Sequence, residues 1–196
     1  MTNPPVVAPI VEGHGEVAAI RDLFTRIGLE MLNGTWIKVA QPFRLDSGKM
    51  RMPDELAKAI RFQSARVQGH GGVLVLRDGD DSDISCPVDL ARLLRPETGA
   101  FSADVEVVIA YQEYEAWYLA AADSLRAHPA VRDDASVPAN PEGKRNTKHE
   151  LEKLMLESYQ ETLHQAKFSA LMNLKAAARR SRSFRRLVHA IEALTG

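Results

Sequence analysis

The chain has 196 residues, 45% of them hydrophobic, with 25 Lys and Arg against 26 Asp and Glu. That length suits one sizeable α/β domain and is short for two, and a net charge of −1 leaves only local patches to speak for or against nucleic acid. A single cysteine, Cys86, excludes an intramolecular disulfide framework, no apolar run approaches a membrane span, and MTNPPVVAPI lacks the charged start of a signal peptide, so a reducing, cytoplasmic setting is expected.

Val6 to Val11 reads as a first strand, although Pro9 sits badly in a central strand unless its missing N–H falls at a bulge or strand end. The run ends at Glu12. Gly13-His14-Gly15 then turns into a helix over Glu16 to Leu32, where Val17, Ile20, Leu23, Phe24 and Ile27 recur at helical spacing. A glycine turn at a helix start can cradle phosphate, but the lysine and hydroxyl of a P-loop are missing here and GxGxxG is not matched. Asn33-Gly34 closes the helix, and Trp36 to Leu45 reads as a second strand with Ile37, Val39 and Phe43 facing inward. Pro53 to Val67 opens with proline and two acids, as helices do, and offers Leu56, Ala59, Ile60 and Ala65 as a buried stripe.

The stretch around which the chain is organised is GVLVLRDGDDSD, Gly72 to Asp83. Val73 to Leu76 is a continuous apolar run, the pattern of a strand buried on both faces of a parallel sheet. Its carboxylates begin where such a strand ends, and in open α/β sheets ligands bind in the crevice beyond that end. Asp78 and Asp80 would project into it. Cys86 to Leu94 reads as a short helix, Val105 to Ala110 as a fourth strand, and Glu113 to Arg126 as a helix whose Trp117 and Tyr118 belong to the core. The alternation predicts an α/β, Rossmann-like parallel sheet of about four strands flanked by helices. Residues 1–128 form this core, 129–147 a proline-containing loop, and 148–196 an extension, helical throughout and packed on the core. Phe168, Leu171, Met172 and Leu174 give the extension one apolar face and Phe184, Leu187, Val188, Ile191 and Leu194 another, with Ser181 and Ser183 marking the break.

With the first and third strands adjacent, Glu12 would join Asp78 and Asp80. Carboxylates so close repel unless a cation lies between them, and hard cations such as Mg²⁺ or Mn²⁺ take oxygen ligands. Glu16, one turn past Glu12, either assists the metal or simply favours the positive helix N-terminus. Asp81 and Asp83 read first as caps or solvent-facing groups, with a supporting role at the metal open to Asp81. Of Glu113 and Glu115, strand alternation would bring only one into the crevice, and Glu113 is the candidate. An EF-hand is excluded because Asp83 occupies its glycine position and Asp89 that of its bidentate glutamate. A haloacid-dehalogenase-type DxD would need the hydroxyl of Ser82 in an otherwise mismatched run. His14 and His70 read as surface residues. From Thr162 to Ile191 there is no acid, and Lys175, Arg179, Arg182 and Arg186 would line one face of an unbroken helix, either as a solvated face or along a phosphate backbone. Arg185 and Arg186 would stand at the start of a helix capped by Ser183, where the macrodipole disfavours cations, and a bound anion would relieve that conflict.

VEGHGE at residues 11–16 followed by VLVLRDGDD at 73–81 resembles the TOPRIM arrangement of topoisomerases, DnaG-type primases and overcoming-lysogenization-defect nucleases. The resemblance implies that Glu12 is a general acid or base and that Asp78 and Asp80 bind Mg²⁺ for phosphodiester chemistry. It extends to a bacterial family of TOPRIM-like proteins without a settled activity, in which segments like QEYEAW (112–117) and SxSF (181–184) recur. No topoisomerase tyrosine context is visible, so strand passage is not implied. An ATPase motif is also missing, so any ATPase partner would be a separate chain. The expectation is a Mg²⁺- or Mn²⁺-dependent nuclease acting on nucleic acid. The alternatives are a non-catalytic nucleic-acid-binding or regulatory subunit and, behind it, a phosphatase of small phosphate esters.

Overall fold

The computed structural model describes residues 3–81, 83–84, 86–143 and 145–196. A five-stranded parallel sheet is made of β1 (Val6–Val11), β2 (Lys38–Val39), β3 (Phe43–Arg44), β4 (Gly71–Asp78) and β5 (Asp104–Ala110). The order is β2-β1-β4-β5, with β3 also on β1. Register runs from Val6 opposite Gly71 to Ile10 opposite Val75, so β1 and β4 end side by side and deliver Glu12 and Asp78 to the same edge of the sheet. The predicted adjacency of these two strands is what the chain adopts.

The second strand, expected as one piece over 36–45, is two short ones, and two prolines explain the gap. Lys38, Ala40 and Leu45 N–H donate to the carbonyls of Pro5, Val7 and Val11, each at 2.9 Å. In that alternation the partner for Pro9 O falls at Pro42, which has no N–H, and Pro9 has none to give in return. Gln63 supplies the missing donor. Its Nε2 reaches Pro9 O at 2.6 Å and Gln41 O at 3.1 Å from α3 (Pro53–Ser64), holding together a ladder that the prolines interrupt. Pro9 is thereby tolerated inside a sheet whose β1 is flanked on both sides.

Alternation along the strands feeds two apolar layers. Val7, Val11, Leu74, Leu76 and Val108 pack under α1 (His14–Met31), α5 (Glu115–Ala120), α8 (Glu161–Leu171), α9 (Leu174–Arg180) and α10 (Arg182–Thr195). Ala8, Ile10, Val73, Val75, Val107 and Ile109 pack under α2 (Ser47–Met50), α3 and α4 (Pro87–Leu94). Trp117 and Tyr118 are fully buried, as expected.

Three helical expectations are corrected. The helix over 113–126 is α5 plus α6 (Ala122–Leu125), broken at Ala121, whose backbone (φ −118°, ψ 18°) leaves the helical region. The segment 148–196 is not helical throughout: α7 (Thr147–Glu152) is followed by a non-helical stretch carrying the bridge from Met155 to Val131, then by α8, α9 and α10. Asn173 and Ser181 make the later breaks by capping Ala176 and Phe184 N–H at 2.9 Å each. The helix ending at Ser64 leaves Ala65 exposed, and Leu171 is also exposed, so neither belongs to its predicted apolar face. Among the described residues no helix is long and apolar enough to cross a membrane.

Gln63→Met keeps the side-chain volume but leaves Pro9 O and Gln41 O without their donor. Urea unfolding of this variant is expected to show a loss of about 1–3 kcal/mol with an unchanged m-value. Wild-type stability would mean that water replaces the amide.

Candidate functional site

The carboxyl ends of β1 and β4 gather acids. Glu12 follows β1, and its Oε2 accepts the backbone N–H of Asp78 at 3.4 Å and lies 3.9 Å from Arg77 Nε. Asp78, the last residue of β4, keeps some solvent contact, while its Oδ1 accepts Tyr114 N–H at 2.8 Å. Dense packing around this carboxylate, then the charges of Glu115, Glu16 and Glu12, push its pKa well above the usual range against the opposing charge of Lys148. The relevant acids are thus Glu12, Glu16, Asp78 and Glu115.

Glu16 is buried in the first turn of α1 and folds back over Gly13, where a Cβ would stand 2.2 Å from its Oε2. A Cβ at Gly15 would lie 1.9 Å from Gln165 Oε1 of α8. The glycine turn therefore makes room for two side chains of the site and is not a phosphate cradle. Burial first, then the charges of Glu115, Glu161 and Glu12, raise Glu16 to about 7. Glu115 is fully buried, and its Oε1 accepts Tyr159 Oη–H at 2.8 Å and Gln165 Nε2–H at 2.9 Å. Burial raises its pKa against the opposing effects of Lys148, Tyr159 and Gln165. Glu16 Oε2 and Glu115 Oε2 are buried without a hydrogen-bond partner.

Lys148 Nζ sits 2.7 Å from Glu161 and 3.7 Å from Glu113. Its own burial would lower its pKa, but the Glu161 hydrogen bond and the charges of Glu115, Glu161 and Asp78 outweigh that and hold it protonated. Beside it lies a hollow of about 440 Å³ lined by Lys148, Tyr159 and Glu161 among others.

Asp80 is exposed on the turn after β4 and has no hydrogen-bond partner among the described residues, so the structure brings Glu12 and Asp78 together without it. Among the described residues no group of three His, Cys, Asp or Glu is arranged to hold a metal ion. Asp81 is a loop organiser: its carboxylate accepts Asp83 N–H at 2.9 Å and Ile84 N–H at 3.2 Å and pairs with buried Arg77 at 2.7 Å. Ser82 lies outside the described residues. Glu113, preferred over Glu115 on alternation, instead accepts Thr147 Oγ1–H at 2.7 Å and Lys148 N–H at 3.1 Å, tying the β5 exit to α7. Alternation fails because Gln112 takes a left-handed φ of 65° between strand and helix. Lys148 had no sequence signal beyond its place at the end of a long loop.

The basic set does not form one face. Lys175 and Arg179 are exposed on α9, while Arg182, Arg185 and Arg186 belong to α10 beyond the break. Arg185 caps the end of α9 through Ala178 O at 2.5 Å, and Arg186 bonds Glu106. The α10 cap is Ser181, not Ser183. The anion that this N-terminus called for is supplied by the chain itself. Glu142 accepts Ser181 Oγ–H at 2.6 Å, Ser183 Oγ–H at 2.7 Å, Ser183 N–H at 2.8 Å and Arg182 N–H at 3.0 Å. Burial would raise its pKa, but these donors outweigh it and hold the carboxyl below its ordinary value.

Glu16 makes stability depend on pH. Its pKa rises on folding from 4.5 to about 7, so its contribution is full below pH 4.5 and is lost as pH rises through 7. The loss amounts to about 3 kcal/mol at 1.36 kcal/mol per unit. Glu16→Gln, a neutral isostere, should match wild type in urea unfolding at pH 4 and exceed it by about that amount at pH 8. Equal stability at both values would mean that the ionised carboxylate is already compensated.

No curated protein matches the chain. No solved structure matches it either. A family model described as a domain of unknown function (DUF4276) matches residues 11–192, nearly the whole chain, beginning one residue before Glu12 and taking in all the acids above; the chain belongs to the DUF4276 family.

Proposed function

We propose that the chain is a TOPRIM-like, Mg²⁺- or Mn²⁺-dependent phosphodiesterase acting on nucleic acid. The observation that carries the reading is the cluster of Glu12, Glu16, Asp78 and Glu115 at the ends of β1 and β4, where two buried carboxylate oxygens have no partner. Enclosed carboxylates without donors call for a proton or a cation. The donor set is all oxygen, as a hard cation requires, and Mg²⁺ keeps several waters and needs only one or two carboxylates. Asp78 with Glu12 or Glu16 would hold it, and Asp80 stands on the adjoining turn. When bound, the metal supplies Lewis acidity toward a phosphoryl oxygen and a more acidic water.

The chain's own groups supply the rest. Tyr114 N–H fixes the Asp78 carboxylate through Oδ1. Glu16, raised to about 7, can give or take a proton near neutral pH. Lys148 offers a positive charge beside the cluster for a phosphate oxygen. A separately encoded ATPase remains the partner that the TOPRIM likeness suggests. The exposure of Asp80, on the turn beyond the cluster, favours the second reading, a non-catalytic nucleic-acid-binding or regulatory subunit.

Cleavage of labelled DNA and RNA with Mn²⁺, using wild type, Asp78→Asn, Asp80→Ala and Glu115→Gln, separates these readings. Asp78→Asn is expected to lose about 10²-fold or more. Equal cleavage by all four proteins indicates contamination, and turnover of an aryl phosphate alone moves the substrate to small esters. Thermal melts give an independent check. Mn²⁺ at 100-fold over its Kd should stabilise wild type by about 2.7 kcal/mol at pH 8 and much less at pH 5, where Glu16 is protonated. Asp78→Asn should lose the response.

A further inference from the structure

A second concavity lies at the β5 edge of the sheet, where a cleft of about 750 Å³ runs between α4 and the start of α10. Its accessible apolar surface is Val88, 56% exposed, with Ala91 beside it on α4, above the buried strand residues Val107 and Ile109. Its two sides carry guanidinium groups, Arg92 and Arg95 from the end of α4 and Arg182 and Arg186 from α10.

These charges are only partly answered. Arg95 and Arg186 share a single carboxylate oxygen, Oε2 of Glu106. Arg92 pairs with Asp89 at 3.0 Å, both groups well exposed, in a contact that water largely screens. The Arg182 side chain is exposed and has no partner among the described residues. Glu142, the other acid at the cleft, is saturated by Ser181, Ser183 and the first amides of α10. A surplus of planar cations above an apolar strip therefore faces solvent.

Guanidinium groups match phosphate oxygens in paired hydrogen bonds, and an apolar floor between them suits flat faces of unpaired bases. A duplex keeps those faces stacked inside and presents only phosphates, sugars and base edges. The cleft also leads to the acidic site. Tyr111 lines its end, and the next residue, Gln112, accepts Gly79 N–H at 2.8 Å through its carbonyl, beside exposed Asp80. We propose that this cleft binds a single-stranded nucleic acid segment, with Arg92 and Arg182 taking phosphates from opposite sides and the floor taking bases. The inference rests on the phosphodiesterase reading for what lies at the cleft's end, but its test does not require cleavage.

The test is fluorescence anisotropy of a labelled single-stranded DNA of about 12 nucleotides with the full chain in EDTA, across a salt series. Arg92→Ala/Arg182→Ala should weaken binding about tenfold or more and lower the slope of log K against log salt by about 1.4, two contacts at about 0.7 each. Lys175→Ala/Arg179→Ala, on exposed positions of α9 outside the cleft, should leave the slope unchanged, with circular-dichroism melts confirming that both variants fold. Equal losses in the two variants, an unchanged slope in the first, equal affinity for the matching duplex, or displacement of the DNA by oligoglutamate at comparable concentration each overturns the assignment. Because no cleavage is read, an inactive protein that binds in this way sinks only the catalytic reading. Cleavage that survives Arg92→Ala/Arg182→Ala with an unaltered KM sinks only the cleft.

Discussion

Like charges confined at the end of a parallel sheet are the constraint to which this structure answers. At an effective dielectric of about 20, two carboxylates roughly 5 Å apart repel by about 3 kcal/mol, so several of them cannot remain ionised together without compensation. The surroundings provide part of it. Tyr114 N–H serves Asp78, Tyr159 and Gln165 serve Glu115, and Lys148 is held where its charge acts on both. Glu16 Oε2 and Glu115 Oε2 receive nothing. Burial first and the neighbouring charges second therefore favour the protonated form of Glu16, whose pKa rises to about 7.

Much of this was legible in the chain. The unbroken runs of β1 and β4 announced buried parallel strands, and parallel order made Glu12 and Asp78 neighbours. The second strand was misread because the cost of Pro42 appears only when it is set against Pro9, a pairing no local window contains. Glu115 was passed over because one left-handed residue, Gln112, resets which side chains face the crevice. Glu16 was visible as an acid at a helix start, but its burial depends on space at Gly13 that only the folded backbone reveals. Asp80, the plainest member of the motif, stays in solvent.

The arginine-rich segment shows a similar displacement of roles. A helix beginning with several cations needs a negative partner at its N-terminus, and the chain meets that need from Glu142, about forty residues upstream, instead of waiting for a ligand. Ser183 serves Glu142 and also accepts the indole N–H of Trp117 at 2.8 Å. The segments QEYEAW and SxSF are thus halves of one junction: the first places Glu115 in the acidic cluster, and the second anchors the ring two residues further on.

That junction changes what the C-terminal helices are for. Gly15 lacks a Cβ where Gln165 of α8 enters, Gln165 donates to Glu115, and the hydroxyls of Tyr114 and Tyr118 meet at Ser169 one turn further along α8. The polar contacts of the site therefore pass through α1, α5 and α8 in succession. A side chain at Gly15 or a shift of α8 would strip Glu115 of its amide donor and admit water to its carboxylate. The burial that raises its proton affinity exists only when the last third of the chain is docked, so the electrostatics of the acidic cluster report on the packing of helices remote from it in sequence.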